Sequence, residues 1–183
     1  LSAADLIKNN LLMRLSDDKV TFDEAIAQWT EMYERIRDKE PVKFIRRYIL
    51  ATYKGKVSEA RLYEEVRKRF ESRTLPELLS FAADLNMKSI IYKKILEASF
   101  SWPEVNRALQ DLHLVEVAPS YTLMLKVIPL VEKMKLTEQE LVQILRMVEI
   151  FHIRWGVCGQ STAQLDQVYN DICSQLSEDP SLN

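Results

Sequence analysis

The chain has 183 residues, 25 Lys+Arg against 27 Asp+Glu for a net charge of −2, three glycines, six prolines and two cysteines. That length supports one domain, or two small ones, with a real core. So few glycines and prolines argue against a sandwich or barrel, and the near-neutral total points to no partner class.

Helix starts can be read from a repeated device, a Ser or Thr followed three residues later by an acid or Gln. It occurs at Ser2/Asp5, Thr21/Glu24, Thr74/Glu77, Ser101/Glu104, Thr137/Glu140 and Ser161/Gln164. The hydroxyl can accept from the third helical amide while the acid answers the cap's own amide. Six such signals make the expected fold class all-α. The pattern predicts helices over 3–14, 21–39, 42–54, 58–71, 74–86, 88–98, 102–112, 119–134, 137–155 and 162–176. Pro119 suits a first turn, and Pro129 is expected to kink or split its helix. No repeat of solenoid length recurs cleanly.

The stretch 137–155 is apolar on nearly every side, with Leu141, Ile144, Leu145, Val148 and Phe151 at helical spacing and Val142, Met147, Ile150 and Ile153 filling the rest. Such a helix is expected to be buried at the centre of a compact bundle of about ten. Its charges make it a poor membrane span. The expected organisation is one helical domain over 1–176, with 177–183 a frayed tail or linker. The chain starts at Leu1 rather than Met, which implies a piece of a longer protein. No signal peptide or membrane segment is visible, so a cytoplasmic protein with reduced Cys158 and Cys173 is expected.

Charge is distributed unevenly. Residues 35–73 hold thirteen basic and six acidic side chains, net +7, and the remainder carries −9. At about 100° per residue, Lys43, Arg46, Arg47 and Lys54 fall on one face of the 42–54 helix, and no acid lies between Val42 and Lys56. On 58–71, Arg61 and Lys68 share a face with Glu64 and Glu65, which neutralises them locally. Lys43, Arg46, Arg47 and Lys54 are therefore the candidate DNA-binding residues, with a merely solvated face as the competing reading. Tyr48, Tyr53, Tyr63 and Phe70 interleave with the charges, and their spacing makes most of them core candidates.

The residue types for chemistry are sparse. His113 and His152 have no second His or Cys at ligand spacing, so no metal site is expected. His152 is expected to bond locally to Glu149. Cys158 lies six residues after His152 across a helix end, which leaves a weak thiol–imidazole pairing open. No Gly-rich phosphate loop exists, so no catalytic residue and no cofactor is assigned. The last candidate is the corner Arg154, Trp155, Gly156 and Gly159. Gly156 and Gly159 compete for the positive-φ position that ends a helix, Arg154 can reach orphan carbonyls, and Trp155 can cover the turn. The corner is either an interdomain handle or only a helix stop.

Three stretches carry a family resemblance. Val148-Glu149-Ile150-Phe151-His152-Ile153-Arg154, then Cys158-Gly159, Thr162 and Leu165, resembles the end of the helical region of GmrSD-type proteins, with Trp155 where that pattern has a second Arg. Leu1-Ser2-Ala3-Ala4-Asp5-Leu6-Ile7-Lys8-Asn9-Asn10-Leu11-Leu12 resembles the segment after their N-terminal domain, with Asn10 where an aromatic is frequent. Phe44-Ile45-Arg46-Arg47-Tyr48, Gly55-Lys56-Val57 and Leu62-Tyr63 give a match between them. These are modification-dependent restriction endonucleases, with an N-terminal nucleotide-hydrolysing domain and a C-terminal HNH nuclease. The resemblance implies a non-catalytic helical piece between those domains, whose parent cuts modified phage DNA. Its partners would be the flanking domains and double-stranded DNA. The alternative is a helical protein-interaction scaffold with no nucleic-acid role.

Overall fold

The first helix, α1 (Ala3–Leu15), begins where its sequence says it should. The Ser2 hydroxyl accepts from the Asp5 amide at 3.2 Å, and the Asp5 carboxylate accepts from the Ser2 amide at 2.8 Å. Buried Ala4, Ile7, Leu11 and Leu15 then line one face at spacings of three and four. In the computed structural model, which describes residues 1–115, 117–161 and 164–176, the rest of the chain is built the same way.

The further helices are α2 (Lys19–Ile36), α3 (Pro41–Thr52), α4 (Leu62–Glu71), α5 (Leu75–Glu97), α6 (Pro103–His113), α7 (Tyr121–Glu132), α8 (Glu138–Val157) and α9 (Leu165–Gln175). Short 3-10 turns at Glu59–Arg61 and Ala118–Ser120 precede α4 and α7. The described residues are thus all-helical, with nine α-helices rather than ten. The difference is α5, one continuous helix where a break near residue 87 was expected. Asn86 is a weak helix former, but its side chain is engaged by α2, as described below.

The residues gather into two compact units. The first comprises Leu1–Tyr48 and Val57–Lys93. Here α1 packs on α2 and α4, and Trp29, Met32, Leu62, Val66 and Phe70 are buried. The Phe81 ring meets Tyr48 and Phe70 edge-on, with centroids 5.6 and 5.0 Å apart, a favoured aromatic geometry. The second unit comprises Ile49–Lys56 and Lys94–Asn183. Here α6 packs on α8, and α7 packs on α8 and α9.

The buried helix of the second unit is α7, not the expected 137–155 helix. Thr122, Leu123, Met124, Leu125, Val127, Ile128 and Val131 of α7 are all buried. Pro129 does not split α7, which runs on to Glu132. In α8 only Leu141, Leu145, Val148 and His152 are buried, and Met147, Ile150 and Ile153 are 61, 49 and 46 % exposed. No described helix is long and apolar enough to cross a membrane.

Two other helix starts differ from expectation. Asp18 caps α2, its carboxylate accepting from the Val20 amide at 3.0 Å, and Thr21 lies inside the helix. At α6 the cap position is Trp102. There Asn106 holds the turn, accepting from the Phe100 amide and donating to the Phe100 carbonyl, both at 2.8 Å. The Ser161/Gln164 device borders positions outside the described residues, and α9 opens without a side-chain cap. The expected tail 177–183 also lies outside them.

Candidate functional site

Three of the four expected basic residues, Lys43, Arg46 and Arg47, share one side of α3, and Lys54 does not join them. Phe44, Ile45, Tyr48 and Ile49 are buried, which turns Lys43, Arg46 and Arg47 toward the periphery. Lys43 Nζ lies 2.8 Å from the Glu40 carboxylate. That bond, and Glu59 nearby, hold the Lys43 ammonium above its ordinary pKa, while Arg47 works against them. Arg46 is tethered, its Nε donating to the Val57 carbonyl at 2.6 Å. Arg47 is half-buried. Lys54 is exposed, but α3 ends at Thr52, so Lys54 lies past the helix and belongs to the second unit.

The charge polarity along the chain also dissolves on folding. The first unit holds sixteen basic and fifteen acidic side chains, net +1, because the acids of α1 and α2 belong to it. The described residues of the second hold nine and nine, net 0. Within the 35–73 segment, Arg37, Arg67, Lys68 and Arg69 pair with Glu34, Glu64 and Glu65 along their own helices. Exposed pairs of this kind contribute little stability, but they reduce the positive field available to a phosphate.

At the corner, Gly159 alone takes the left-handed conformation, φ +65°. The Gln160 amide donates to the Trp155 carbonyl at 3.2 Å and the Gly159 amide to the Gly156 carbonyl at 2.9 Å. These two bonds are the Schellman arrangement, which closes a helix around a positive-φ residue. Gly156 lies inside α8, and a Cβ there would meet nothing within 4 Å. Trp155 does brace the turn, its indole N–H donating to the Ser161 carbonyl at 3.2 Å and its ring lying 5.4 Å from Phe151. Arg154 is exposed. The last carbonyls of α8 are satisfied by main-chain amides, the Cys158 amide donating to the Arg154 carbonyl itself at 3.0 Å. The expected capping by the Arg154 guanidinium is thus replaced by backbone.

Buried polar groups whose partners the sequence did not show hold the helices together. His152 Nε2 lies 2.8 Å from the Tyr169 hydroxyl, with the rings stacked at 16°. Its partner is therefore on α9 and not the local Glu149. Burial pushes the His152 pKa down and the Tyr169 pKa up. Asn170, 1 % exposed, donates to the Leu50 and Tyr53 carbonyls at 2.6 and 2.8 Å and accepts from the Gly55 amide at 2.9 Å. One side chain so satisfies the C-terminal end of α3 and the turn after it. The buried Cys173 thiol donates to the Thr122 carbonyl at 3.7 Å, and burial raises its pKa to about 11. Cys158 is exposed, both thiols are free, and His152 is occupied by Tyr169. In the first unit, Arg35 donates to Asn86 Oδ1 at 2.5 Å and to Ser89 Oγ at 2.6 Å, while the Asn86 amide donates to Gln28 and Glu31 at 2.8 and 2.9 Å.

Among the described residues, no group of three or more His, Cys, Asp or Glu is placed to hold a metal ion. Comparison with family profiles, with curated proteins and with solved structures finds no match to the chain.

Proposed function

We propose that this chain is a non-catalytic helical spacer of a larger cytoplasmic DNA-restriction protein, setting the distance between a nucleotide-hydrolysing domain and a nuclease domain. One observation carries the reading. Five of the side chains that carry groups for chemistry, His152, Tyr169, Asn170, Cys173 and Arg35, are each tied to another helix or turn by a buried or half-buried hydrogen bond. A satisfied buried network stiffens the unit that contains it and leaves its members unavailable to a substrate. The GmrSD-type resemblance supplies the kind of parent. The test is to replace the chain, in that parent, with a flexible Gly/Ser linker of matched mean span. A spacer predicts that nucleotide hydrolysis survives and DNA cleavage is lost. Cleavage that survives the replacement would refute it.

DNA contact is a second, narrower reading, now carried by Lys43 and Arg47 alone. It predicts weak, steeply salt-dependent binding of duplex DNA, abolished by Lys43→Glu with Arg47→Glu. No binding by the unaltered chain at low salt would leave the interaction scaffold without a nucleic-acid role.

A further inference from the structure

We propose that the outward face of α8 is a docking surface for an acidic amphipathic helix of a partner protein. Leu141, Leu145, Val148 and His152 point into the second unit. At about 100° per residue the opposite side is centred on Ile150. Met147, Ile150, Ile153 and Val157 lie along it, 61, 49, 46 and 83 % exposed. They form an apolar row about 15 Å long, matched in length to two or three turns of a second helix.

The charges on this face define the occupant. Arg146 and Arg154 are exposed one turn before and one turn after Ile150. Neither has an ion-pair partner among the described residues, although Glu149 stands three positions after Arg146. The i,i+3 pairs Glu40–Lys43, Glu64–Arg67 and Glu104–Arg107 do close, and all set the acid before the base, the favoured order on a helix, which Arg146 and Glu149 reverse. The complement of an apolar row with one unmatched cation just before it, Arg146, and another within its last turn, Arg154, is a helix with an apolar stripe bordered by Asp or Glu. A second copy fits poorly. An antiparallel pair centred on Ile150 sets Arg146 of each chain against Arg154 of the other, and a parallel pair sets each arginine against itself. Like charges held together in a helix pair are disfavoured. A phosphate backbone would meet the arginines and leave the row of four apolar side chains uncovered. This surface does not depend on the spacer role or on the identity of the parent.

The test is a displayed library of 18-residue helices with a fixed Leu stripe and flanking positions randomised among Glu, Gln and Lys, selected against the full 183-residue chain. Glu-flanked helices should be enriched at least tenfold over Lys-flanked ones. Ile150→Glu should remove the enrichment, and Arg146→Glu with Arg154→Glu should reverse it toward Lys. All three side chains are exposed, and unchanged melting temperatures would show that the variants fold. The proposal is overturned if no helix is enriched over the Ile150→Glu control, or if the Glu preference survives the double charge reversal. It is also overturned if sedimentation shows a dimer of the chain that Ile150→Glu dissolves. Pelleting with phosphatidylserine vesicles that Ile150→Glu abolishes would assign the face to a lipid surface and overturn it as well.

Discussion

His152 Nε2 and the Tyr169 hydroxyl lie 2.8 Å apart in a buried, stacked pair that joins α8 to α9. Burial lowers the His152 pKa in the folded state. The unfolded chain therefore takes up a proton at higher pH than the folded one. The stability tied to the neutral ring is fully present above about pH 6.5 and is lost as pH falls through the folded pKa. His113, desolvated beside Tyr121, shifts in the same direction. The capping carboxylates Asp5, Glu77 and Glu140 are held below their ordinary values, so their loss belongs to lower pH. Melting temperature should fall between pH 7 and pH 5, and His152→Gln, which keeps a polar group for Tyr169 without titrating, should flatten that fall. An unchanged slope in His152→Gln would assign the dependence elsewhere.

Asn170 should be the most sensitive single polar position in the second unit. Asn170→Leu conserves volume but leaves the Leu50 and Tyr53 carbonyls and the Gly55 amide without the partner they have now. Each buried group so orphaned costs about 1–3 kcal/mol. The variant should lose at least about 2 kcal/mol in urea unfolding, a drop of roughly 4–8 °C in melting temperature for a chain of this size. A loss under about 0.5 kcal/mol would mean that water replaces the amide.

These two residues also mark the limit of what the chain's letters show. The Ser2 and Thr137 capping boxes are legible because both partners lie within one turn, and both form. Thr21 misleads because Asp18 competes for the same helix start, and the Thr21 hydroxyl turns back to the Asp18 carbonyl at 3.0 Å. Asn170 has no local signal at all, since its partners are well over a hundred positions away. The exchange of α7 for α8 as the buried helix has a similar cause. Both are rich in apolar residues, and composition cannot say that Met147, Ile150 and Ile153 face outward while nearly all of α7 is covered. Lys54 leaves the expected basic face because α3 stops at Thr52, and Lys43 is paired with Glu40, with Glu59 nearby from beyond the turn.

The two thiols should separate cleanly. Cys158 is exposed at the end of α8, whereas Cys173 is buried, bonded to the Thr122 carbonyl and raised to about 11. The thiolate is the reactive form. A disulfide reagent at pH 8 should modify one thiol rapidly and the second only when urea is added, and Cys158→Ser should remove the fast phase. Two fast equivalents in the folded chain would contradict the burial of Cys173.

The two corner glycines should respond oppositely to substitution. Gly159 holds the left-handed position with φ +65°, where a side chain is strained and a β-branched one most of all. Gly159→Val should cost at least about 1 kcal/mol. Gly156 is helical with open space at its missing Cβ, so Gly156→Ala removes backbone entropy from the unfolded chain without a clash. It should stabilise by roughly 0.5–1 kcal/mol. Arg154→Ala should change stability by no more than about 0.5 kcal/mol, because backbone amides already cap that helix end. Urea unfolding of the three variants measures all three values. If Gly156→Ala destabilises while Gly159→Val is tolerated, the helix stops at Gly156 and the Schellman closure around Gly159 is wrong. If instead Arg154→Ala alone is costly, the guanidinium caps the helix after all.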